Sequence, residues 1–368
     1  MRVQLVDPSG DVTPYDHALA GALARRGADV ELVTSRFVHG PVPRPAGYEL
    51  SEVFYRRANR HGARKRGLRR ALKLLEHGPD MLRYRKRAAA ADVRHFQWLP
   101  LEPLDLVLLP DARPRVLTMH NVLRRDGSER RTRWLAESMD AVVVHTRAGA
   151  ERLAELGVPA ERVRVIPHGA FDHLTRQEHE APLPPELAEV EGPVVLYFGT
   201  VRPYKGVEVL LEAFTGIEGA ELWVVGHPLG VSMERLYALA RVARGRVRFV
   251  SRYVTDAETP AFLRRADLLV LPHLRVDQSG VLFAGLAFGK PMVLSDVGGF
   301  AEVAADHGAG RAVPPGDPAA LAAAIEALLA DPGERRALGE RAAAAAAGPF
   351  SWDGIAERTL ALYEELRG

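Results

Sequence analysis

The chain has 368 residues, a length that predicts two domains of ordinary size, each large enough for its own core. Hydrophobic residues make up 47% and charged residues 26%, a balance typical of a soluble globular protein, and the net charge is only +2. The absence of cysteine excludes disulfides, thiolate catalysis and cysteine-ligated metals, and the 13 histidines show no metal-ligand spacing such as H-E-x-x-H.

The first residues, MRVQLVDPSGD, are typical of a strand and a turn rather than of a signal peptide. No stretch of about 18 uninterrupted apolar residues is present, so the sequence predicts no membrane-spanning helix. We therefore expect a cytoplasmic enzyme.

Strand-like apolar runs alternate with helical segments along the first half of the chain. The helical pattern is clearest from Asp16 to Arg26, where Ala18, Leu19 and Ala22 share one face. Continuous apolar runs joined by helices predict a parallel sheet covered on both faces. The runs are at 2–6, 29–34, 93–98, 105–109, 115–119, 141–145 and 163–167.

The segment 56–94 is strongly basic, with fourteen lysine or arginine residues against three acidic ones. Within it Leu68, Ala71, Leu72 and Leu75 recur at helical spacing, which predicts an apolar face beside a cationic one. One interpretation is a helix packed on the core with a solvated basic side. The other is contact with an anionic partner, either a membrane surface or a phosphate-bearing acceptor. We expect no nucleic-acid binding, because no recognised motif and no interleaved aromatic residues accompany the charges.

The second half repeats the alternation after a segment rich in proline and charge. Residues 172–192 are predicted to be a linker. The expected organisation is two doubly wound Rossmann-like domains at 1–171 and 193–350, followed by a terminal helix at 351–368 that needs a surface to cover, for which the first domain is available. Ligands of such sheets bind beyond the carboxyl ends of the strands. The new apolar runs are at 194–198, 221–225, 247–251, 268–272 and 291–295.

Two loops in this half have the features of an anion site. FGTVRPYKG (198–206) and DQSGVLFAGLAFGKPMVLSDVGG (277–299) each follow an apolar run and lead into a helical pattern. A strand that ends in a glycine-rich turn and opens a helix presents backbone N–H groups to an anion. The first loop adds Arg202 and Lys205, so we expect a grip on a diphosphate, and a nucleotide sugar as substrate.

Several further segments carry a family resemblance. Residues 14–35 resemble the first strand-helix-strand unit of the family-four retaining glycosyltransferases, TMHN (118–121) resembles their Thr-x-His motif, and VRVIPHG (163–169) resembles their inter-domain exit. FGTVRPYKG resembles their phosphate loop, and GKP (289–291) with VGGFAEV (297–303) resembles their C-terminal signature. The resemblance covers nearly the whole chain. It implies the GT-B fold, with an acceptor-side domain and a nucleotide-sugar domain facing across a cleft.

The chain departs from the family pattern at its two glutamates. Val276 and Ala284 stand at those positions, so the ribose-binding role is unassigned and Asp277 is only a candidate. QSGV (278–281) resembles a sub-branch that shares this replacement, and its residues Ser279, Gly280 and Val281 could offer consecutive N–H groups to a diphosphate. The usual Gly-Arg of the phosphate loop is Gly199-Thr200 here.

The resemblance also implies roles for scattered residues. His120 matches a histidine that contacts the sugar or its developing charge, and a core or turn histidine is the alternative. Gly10 resembles a glycine loop at the donor and acceptor, or is a plain tight turn. Glu302 matches the family's Gly-Gly-x-x-Glu and binds the donor or caps a helix. Arg252 and Tyr253 are candidates to border the nucleobase because they come just after the apolar run 247–251.

The leading hypothesis is a retaining transferase that moves a sugar from a nucleoside diphosphate to an acceptor hydroxyl of a glycan, a lipid-linked glycan or a small molecule. Arg202, Lys205 and backbone N–H groups would stabilise the leaving diphosphate without a metal or cofactor, in keeping with the absence of an Asp-x-Asp pair. The alternatives are a sugar-nucleotide epimerase or phosphorylase of the same fold, and a catalytically silent subunit. A dehydrogenase is not expected, since no Gly-x-Gly-x-x-Gly turn follows the first strand.

Overall fold

The computed structural model describes residues 1–10, 12–38, 42, 44–61, 66–122 and 128–368. These residues form two compact units. The first unit is Met1–Gly169 together with Trp352–Gly368, and the second is Ala170–Ser351.

Each unit alternates strands and helices. The first contains strands β1 (Arg2–Asp7), β2 (Asp29–Ser35), β3 (Glu49–Phe54), β4 (Val93–Phe96), β5 (Arg115–Thr118), β6 (Ala141–Val144) and β7 (Val163–Val165), with helices α1 (Thr13–Arg25), α2 (Arg66–Ala88), α3 (Glu102–Leu108), α4 (Glu129–Glu137) and α5 (Arg147–Glu155). The second contains strands β8 (Val194–Phe198), β9 (Glu221–Val225), β10 (Arg246–Val250), β11 (Leu268–Leu271), β12 (Met292–Ser295) and β13 (Arg311–Val313), with helices α6 (Pro185–Ala188), α7 (Val207–Ala213), α8 (Met233–Arg241), α9 (Thr259–Arg265), α10 (Gly280–Ala287), α11 (Gly298–His307), α12 (Pro318–Ala330) and α13 (Pro332–Ala347). Helix α14 (Trp352–Arg367) belongs to the first unit.

Both sheets are parallel and doubly wound. The strand order is β3-β2-β1-β4-β5-β6-β7 in the first unit and β10-β9-β8-β11-β12-β13 in the second. The order reverses beside β1 and beside β8, the place where sheets of this kind bind ligands beyond the carboxyl ends of the strands. The prediction of two Rossmann-like sheets is confirmed.

Burial on both faces explains the continuous apolar runs. Side chains alternate between the two faces of a strand, and in β8 Val195 and Tyr197 enter one core while Val194 and Leu196 enter another. Each of these four side chains is fully buried. A parallel sheet therefore needs an apolar residue at nearly every strand position.

Helix α14 completes a core of the first unit. It packs along α1, and Ile355 and Tyr363 are fully buried. The Tyr363 hydroxyl lies 2.6 Å from Nδ1 of His95. A Cβ added to Gly169 would lie 2.3 Å from the Trp352 ring, so the close approach of the indole requires glycine at position 169.

Two sequence interpretations of local structure differ from the fold. In the run 105–109, residues 105–108 belong to helix α3 and not to a strand. Its Asp105 is buried, where its carboxylate contacts Nε2 of His77 at 2.5 Å and accepts the N–H of Leu101 at 2.7 Å. Residues 172–192 lie within the second unit, and Leu174 and Leu187 of this predicted linker are buried in its core. Composition alone does not identify these two leucines as core residues, because the residues around them are rich in proline and charge.

The basic segment forms α2, but its buried face is not the one expected. Leu68 and Leu75 are 48% and 74% exposed, and the buried positions lie further along the helix. These positions are His77, Asp80, Met81, Tyr84 and Ala88. Residues 62–65 of the segment lie outside the described residues. No helix in the described part of the chain is both long and apolar enough to cross a membrane.

Candidate functional site

A cavity of about 410 Å³ lies in the second unit beyond the ends of β8 and β11. These strands pair in parallel, so the loops that follow them leave the sheet at the same edge. The lining comes from both loops and from the segment after β10. It consists of Phe171, Leu174, Phe198, Gly199, Thr200, Tyr204, Lys205, Val225, Gly226, His227, Tyr253, Val254, Asp256, Thr259, His273, Val276, Gln278, Ser279, Gly280, Val281 and Ala284.

Glycine allows the backbone of the first loop to approach its neighbours closely. Gly206 has φ +68°, and a Cβ there would lie 1.8 Å from the carbonyl oxygen of Pro272. A Cβ on Gly226 would lie 1.9 Å from the carbonyl oxygen of Gly199. Only glycine fits at both points, and the contacts hold the loop that carries Lys205 against the ends of β9 and β11.

Lys205 is a buried cation at the wall of this cavity. Lys205 is the last residue of the 3-10 turn Pro203–Lys205, and it is only 9% exposed. Burial and the nearby charge of Arg202 lower the pKa of its ammonium group to about 8. Within the described chain no hydrogen bond or ion pair of this ammonium group is found. A buried charge without a counter-ion is costly, and an anionic ligand in the cavity would offset that cost.

His273 is a second polar group at the cavity, and the sequence analysis did not identify it. It is fully buried, and neither ring nitrogen has a hydrogen-bond partner among the described residues. Burial, with a smaller contribution from Lys205, lowers the pKa of the imidazole to about 3, so the ring is neutral. The sequence feature that could have identified His273 is its place as a polar residue two positions after the end of the buried strand β11.

The start of α10 presents backbone donors at the same cavity. Ser279 precedes the helix in extended conformation, and the first N–H groups of any helix, here those of Gly280 and Val281, lack intrahelical partners. Ser279, Gly280 and Val281 all line the cavity. The structure therefore brings Gly199, Lys205 and the Ser-Gly-Val segment together at one cavity.

Two other predicted donor-binding residues, Arg202 and Arg252, do not line the cavity. Arg202 is only partly buried and lies outside the lining, although its charge acts on Lys205. Arg252 donates to the carboxylate of Glu258 at 2.7 Å and to the carbonyl oxygen of Tyr253 at 3.0 Å. Arg252 is also the main cause of the lowering of the Glu258 pKa to about 2. Tyr253 itself lines the cavity.

The acidic candidates are placed differently from expectation. Asp277 and Glu302 lie outside the lining, and the Asp277 carbonyl accepts the N–H of Gly299 at 3.1 Å. The acidic side chain that does line the cavity is Asp256, in the loop after β10. The roles of Asp277 and Glu302 in donor binding stay predictions.

The two remaining candidates belong to the first unit. His120 lies just beyond β5, is 9% exposed, and helps to line a small cavity of about 30 Å³ with Trp98 and Asn121. Its Nδ1 lies 3.1 Å from Nε2 of His145. Gly10 has φ +68° and its carbonyl accepts the Thr13 hydroxyl at 2.9 Å, the geometry of a tight turn before α1.

Comparison with known proteins identifies the class to which these features belong. Residues 192–331 match the family model of Glycosyl transferases group 1, and residues 15–170 match that of Glycosyltransferase Family 4. A D-inositol 3-phosphate glycosyltransferase from Xylanimonas cellulosilytica is 30% identical over 97% of this chain and 92% of its own length. An enzyme of the same name from Nocardia farcinica is 32% identical over 61% of this chain, but the match spans 52% of that protein.

Solved structures agree on the fold. The sucrose-phosphate synthase of Thermosynechococcus elongatus superposes with a TM-score of 0.76 at 22% identity, over 100% of this chain and 99% of that chain. Anabaena HepE, solved in complex with UDP-glucose, superposes with a TM-score of 0.74 at 18% identity over 100% of both chains. The fold is that of the GT-B enzymes. The chain belongs to the glycosyltransferase family of these two models.

The buried ammonium group predicts an unusual stability effect. The fall in the Lys205 pKa from 10.5 to about 8 corresponds to a cost on the order of 3 kcal/mol when the group is charged. Because the folded-state pKa is the lower one, this cost is fully present below pH 8 and disappears as the pH rises to 10.5. We expect Lys205→Met to raise the free energy of unfolding of the ligand-free protein at pH 7, and to do so less at pH 10, as measured by urea unfolding.

Lys290 provides the matched control, since its ammonium donates to the carbonyl oxygens of Ala266 at 2.8 Å and Arg264 at 3.2 Å. Lys290→Met should destabilise the protein at pH 7 because it leaves both acceptors without that donor. A loss of stability in Lys205→Met at pH 7 would contradict the picture of an uncompensated charge.

Proposed function

We propose that this glycosyltransferase binds a nucleoside diphosphate sugar in the cavity of the second unit and transfers the sugar, with retention, to an acceptor hydroxyl. The observation that carries the proposal is Lys205, a buried cation at the wall of that cavity for which the described residues provide no counter-ion. The N–H groups at the start of α10 face the same space and favour an anion. The complex of HepE with UDP-glucose supports a donor of this chemical class.

The residues present suit charge stabilisation on the leaving group. When the bond between the anomeric carbon and the diphosphate breaks, its electron pair passes to the terminal phosphate oxygen. Lys205, with Arg202 beside it, and the helix N–H groups would stabilise that charge, and His273 offers one further N–H donor. The acceptor oxygen then bonds to the anomeric carbon on the face that the phosphate leaves, and the phosphate oxygen takes the acceptor proton.

We further propose that the reaction needs no metal or cofactor. The cations and N–H groups of the cavity supply the charge compensation that a divalent ion would otherwise provide. Across the described ranges, no group of three histidine, aspartate or glutamate side chains is arranged to hold a metal ion. We assign the chain to the sub-branch in which a QSGV segment replaces the two glutamates. In the absence of those glutamates, Asp256 is the carboxylate in the cavity that is available to bind the ribose hydroxyls.

The donor proposal predicts a selective ligand response that depends on Lys205. In a thermal-shift panel of UDP, GDP, ADP and dTDP with their common sugars, we expect one base to stabilise the wild type and to do so far less in Lys205→Ala. Loss of one charge-stabilising donor also predicts a fall in kcat of roughly 100- to 1,000-fold. Hydrolysis or transfer assays with the selected donor measure this rate.

The same assay tests the finer parts of the mechanism. Lys290→Ala, a partly buried lysine away from the cavity, is the matched control and should keep the ligand response. Retention is read from the anomeric configuration of the product by NMR, and metal independence from an unchanged rate in a chelator. An inverted product would reject retention, and a rate abolished by the chelator would reject metal independence. The absence of a response to any nucleotide at millimolar concentration would reject the nucleotide-sugar donor.

A surface of α2 supports a second proposal, peripheral binding to an anionic lipid bilayer. Leu68, Leu74 and Leu75 are 48%, 54% and 74% exposed, and the neighbouring Arg70 is also exposed. Exposed leucines beside cations favour a lipid interface, because a merely solvated basic face would not need them. Helix α3 packs against α2 and adds Val107, which is 70% exposed.

Replacement of the two most exposed leucines tests this surface. We expect Leu74→Ser with Leu75→Ser to weaken co-sedimentation with phosphatidylcholine vesicles containing phosphatidylglycerol by roughly tenfold, since apolar area no longer enters the bilayer. Val242→Ser, at a position that is 64% exposed in the second unit, is the control. Equal binding by the leucine variant and the control would reject the membrane proposal.

A further inference from the structure

Two histidines lie side by side at the carboxyl ends of β5 and β6 in the first unit. The strands pair in parallel with Thr118 opposite Val143, which places His120 and His145 just beyond the same edge. Both side chains are buried. The Tyr15 ring packs edge-on against His120 at 4.8 Å and lies 5.4 Å from the His145 ring, so neither imidazole is free to turn.

The backbone determines which nitrogen of His145 carries the proton. Its Nδ1 lies 2.9 Å from the carbonyl oxygen of Ile166, and a carbonyl oxygen can only accept. Nδ1 is therefore the protonated nitrogen. Burial lowers the pKa of His145 to about 4, so the ring is neutral near pH 7 and its Nε2 holds a lone pair.

This lone pair determines the tautomer of His120 in turn. Nε2 of His145 lies 3.1 Å from Nδ1 of His120, so Nδ1 of His120 must donate the hydrogen. Burial, with smaller contributions from the neighbouring histidines, lowers the His120 pKa well below its usual value, and this ring is neutral as well. Its Nε2 is then a buried acceptor, and it has no hydrogen-bond partner among the described residues.

The other histidines of the cluster do not compete for these positions. His95 bonds to the Thr118 hydroxyl through Nε2 at 2.7 Å and to Tyr363 through Nδ1 at 2.6 Å. Nδ1 of His168 lies 2.7 Å from the carbonyl oxygen of Gly169. The chain from Ile166 through His145 to His120 is thus a separate, directed series of hydrogen bonds.

We propose that His145 is a positioning residue that holds His120 in the Nδ1–H tautomer, so that His120 Nε2 accepts a hydrogen bond from a hydroxyl of the sugar substrate. The substrate class rests on the proposed function, whereas the tautomer rests on the hydrogen bonds of the first unit alone. An acceptor at this point selects a hydroxyl group. It rejects a phosphate or carbonyl oxygen, for which the opposite tautomer would be needed.

Nitrogen NMR of the full-length chain labelled with ¹⁵N-histidine tests the tautomer directly. We expect the His120 signals, assigned with His120→Asn, to show a protonated Nδ1 and an unprotonated Nε2 near pH 7. His145→Phe keeps a ring but removes the acceptor, and should shift His120 toward the Nε2–H form. His145→Gln restores an acceptor oxygen and should restore the Nδ1–H form. A wild-type His120 protonated at Nε2 would overturn the inference without any variant.

Kinetics with the selected donor test the consequence. His145→Phe should lower kcat/KM by roughly 10- to 100-fold, and His145→Gln should recover most of that loss. Among deoxygenated substrates, the analogue that lacks the recognised hydroxyl should slow the wild type but not slow His145→Phe further, as in a double-mutant cycle. Additive losses for every analogue would overturn the hydroxyl assignment.

The experiments can reject the His120 tautomer and the nucleotide-sugar donor independently of each other. A correct tautomer in a protein that responds to no nucleotide sugar would leave the hydrogen-bond chain standing and reject the proposed donor. Normal transfer by a protein whose His120 is protonated at Nε2 would reject the role of His145 and leave the proposed function standing.

Discussion

The parallel pairing of neighbouring strands is the constraint on which both sites depend. In the second unit Leu268 lies opposite Val195, so β8 and β11 end together and their loops must share one edge of the sheet. The contact of Gly206 with the Pro272 carbonyl and the position of Lys205 follow from that register. In the first unit the pairing of β5 with β6 brings His120 to His145 in the same way. In both units, therefore, hydrogen bonds between strand backbones position the side chains of the site, although these strands are not themselves part of the proposed ligand contacts.

Both sites also contain polar groups that folding alone does not satisfy. Among the described residues, the buried Lys205 has no counter-ion, and ring nitrogens of the buried His120 and His273 have no hydrogen-bond partners. Groups of this kind lower the stability of a ligand-free protein, and the apolar cores on either face of each sheet must offset the loss. The hydrogen-bond donors and acceptors of these side chains are already oriented and shielded from water before a substrate binds. This arrangement favours a strong interaction with a reacting substrate.

The sequence was sufficient for the architecture and for the part of the site that lies on the backbone. Apolar runs reveal burial, and glycine-rich turns reveal where a chain approaches a neighbour, so both sheets and the loops at Lys205 and Ser279 were predictable. Periodicity does not say which partner a polar side chain will find. The pairing of Arg252 with Glu258 was therefore not predictable, and His145 and His273 were missed although each follows a buried strand. The short edge strand β3, with few apolar residues, gave too weak a signal.

The return of the chain to its first unit has a consequence for biosynthesis. Trp352, Ile355 and Tyr363 belong to the same core as Val3 and Leu5, but they are translated only after the whole second unit. Domains of most nascent chains fold in order as they leave the ribosome. Here the first unit must wait with an open apolar face while about 180 residues of the second unit are made, at synthesis rates of roughly 5–20 residues per second. During those seconds a chaperone that covers exposed apolar surface would have its natural substrate in the first unit, even though that unit is synthesised first.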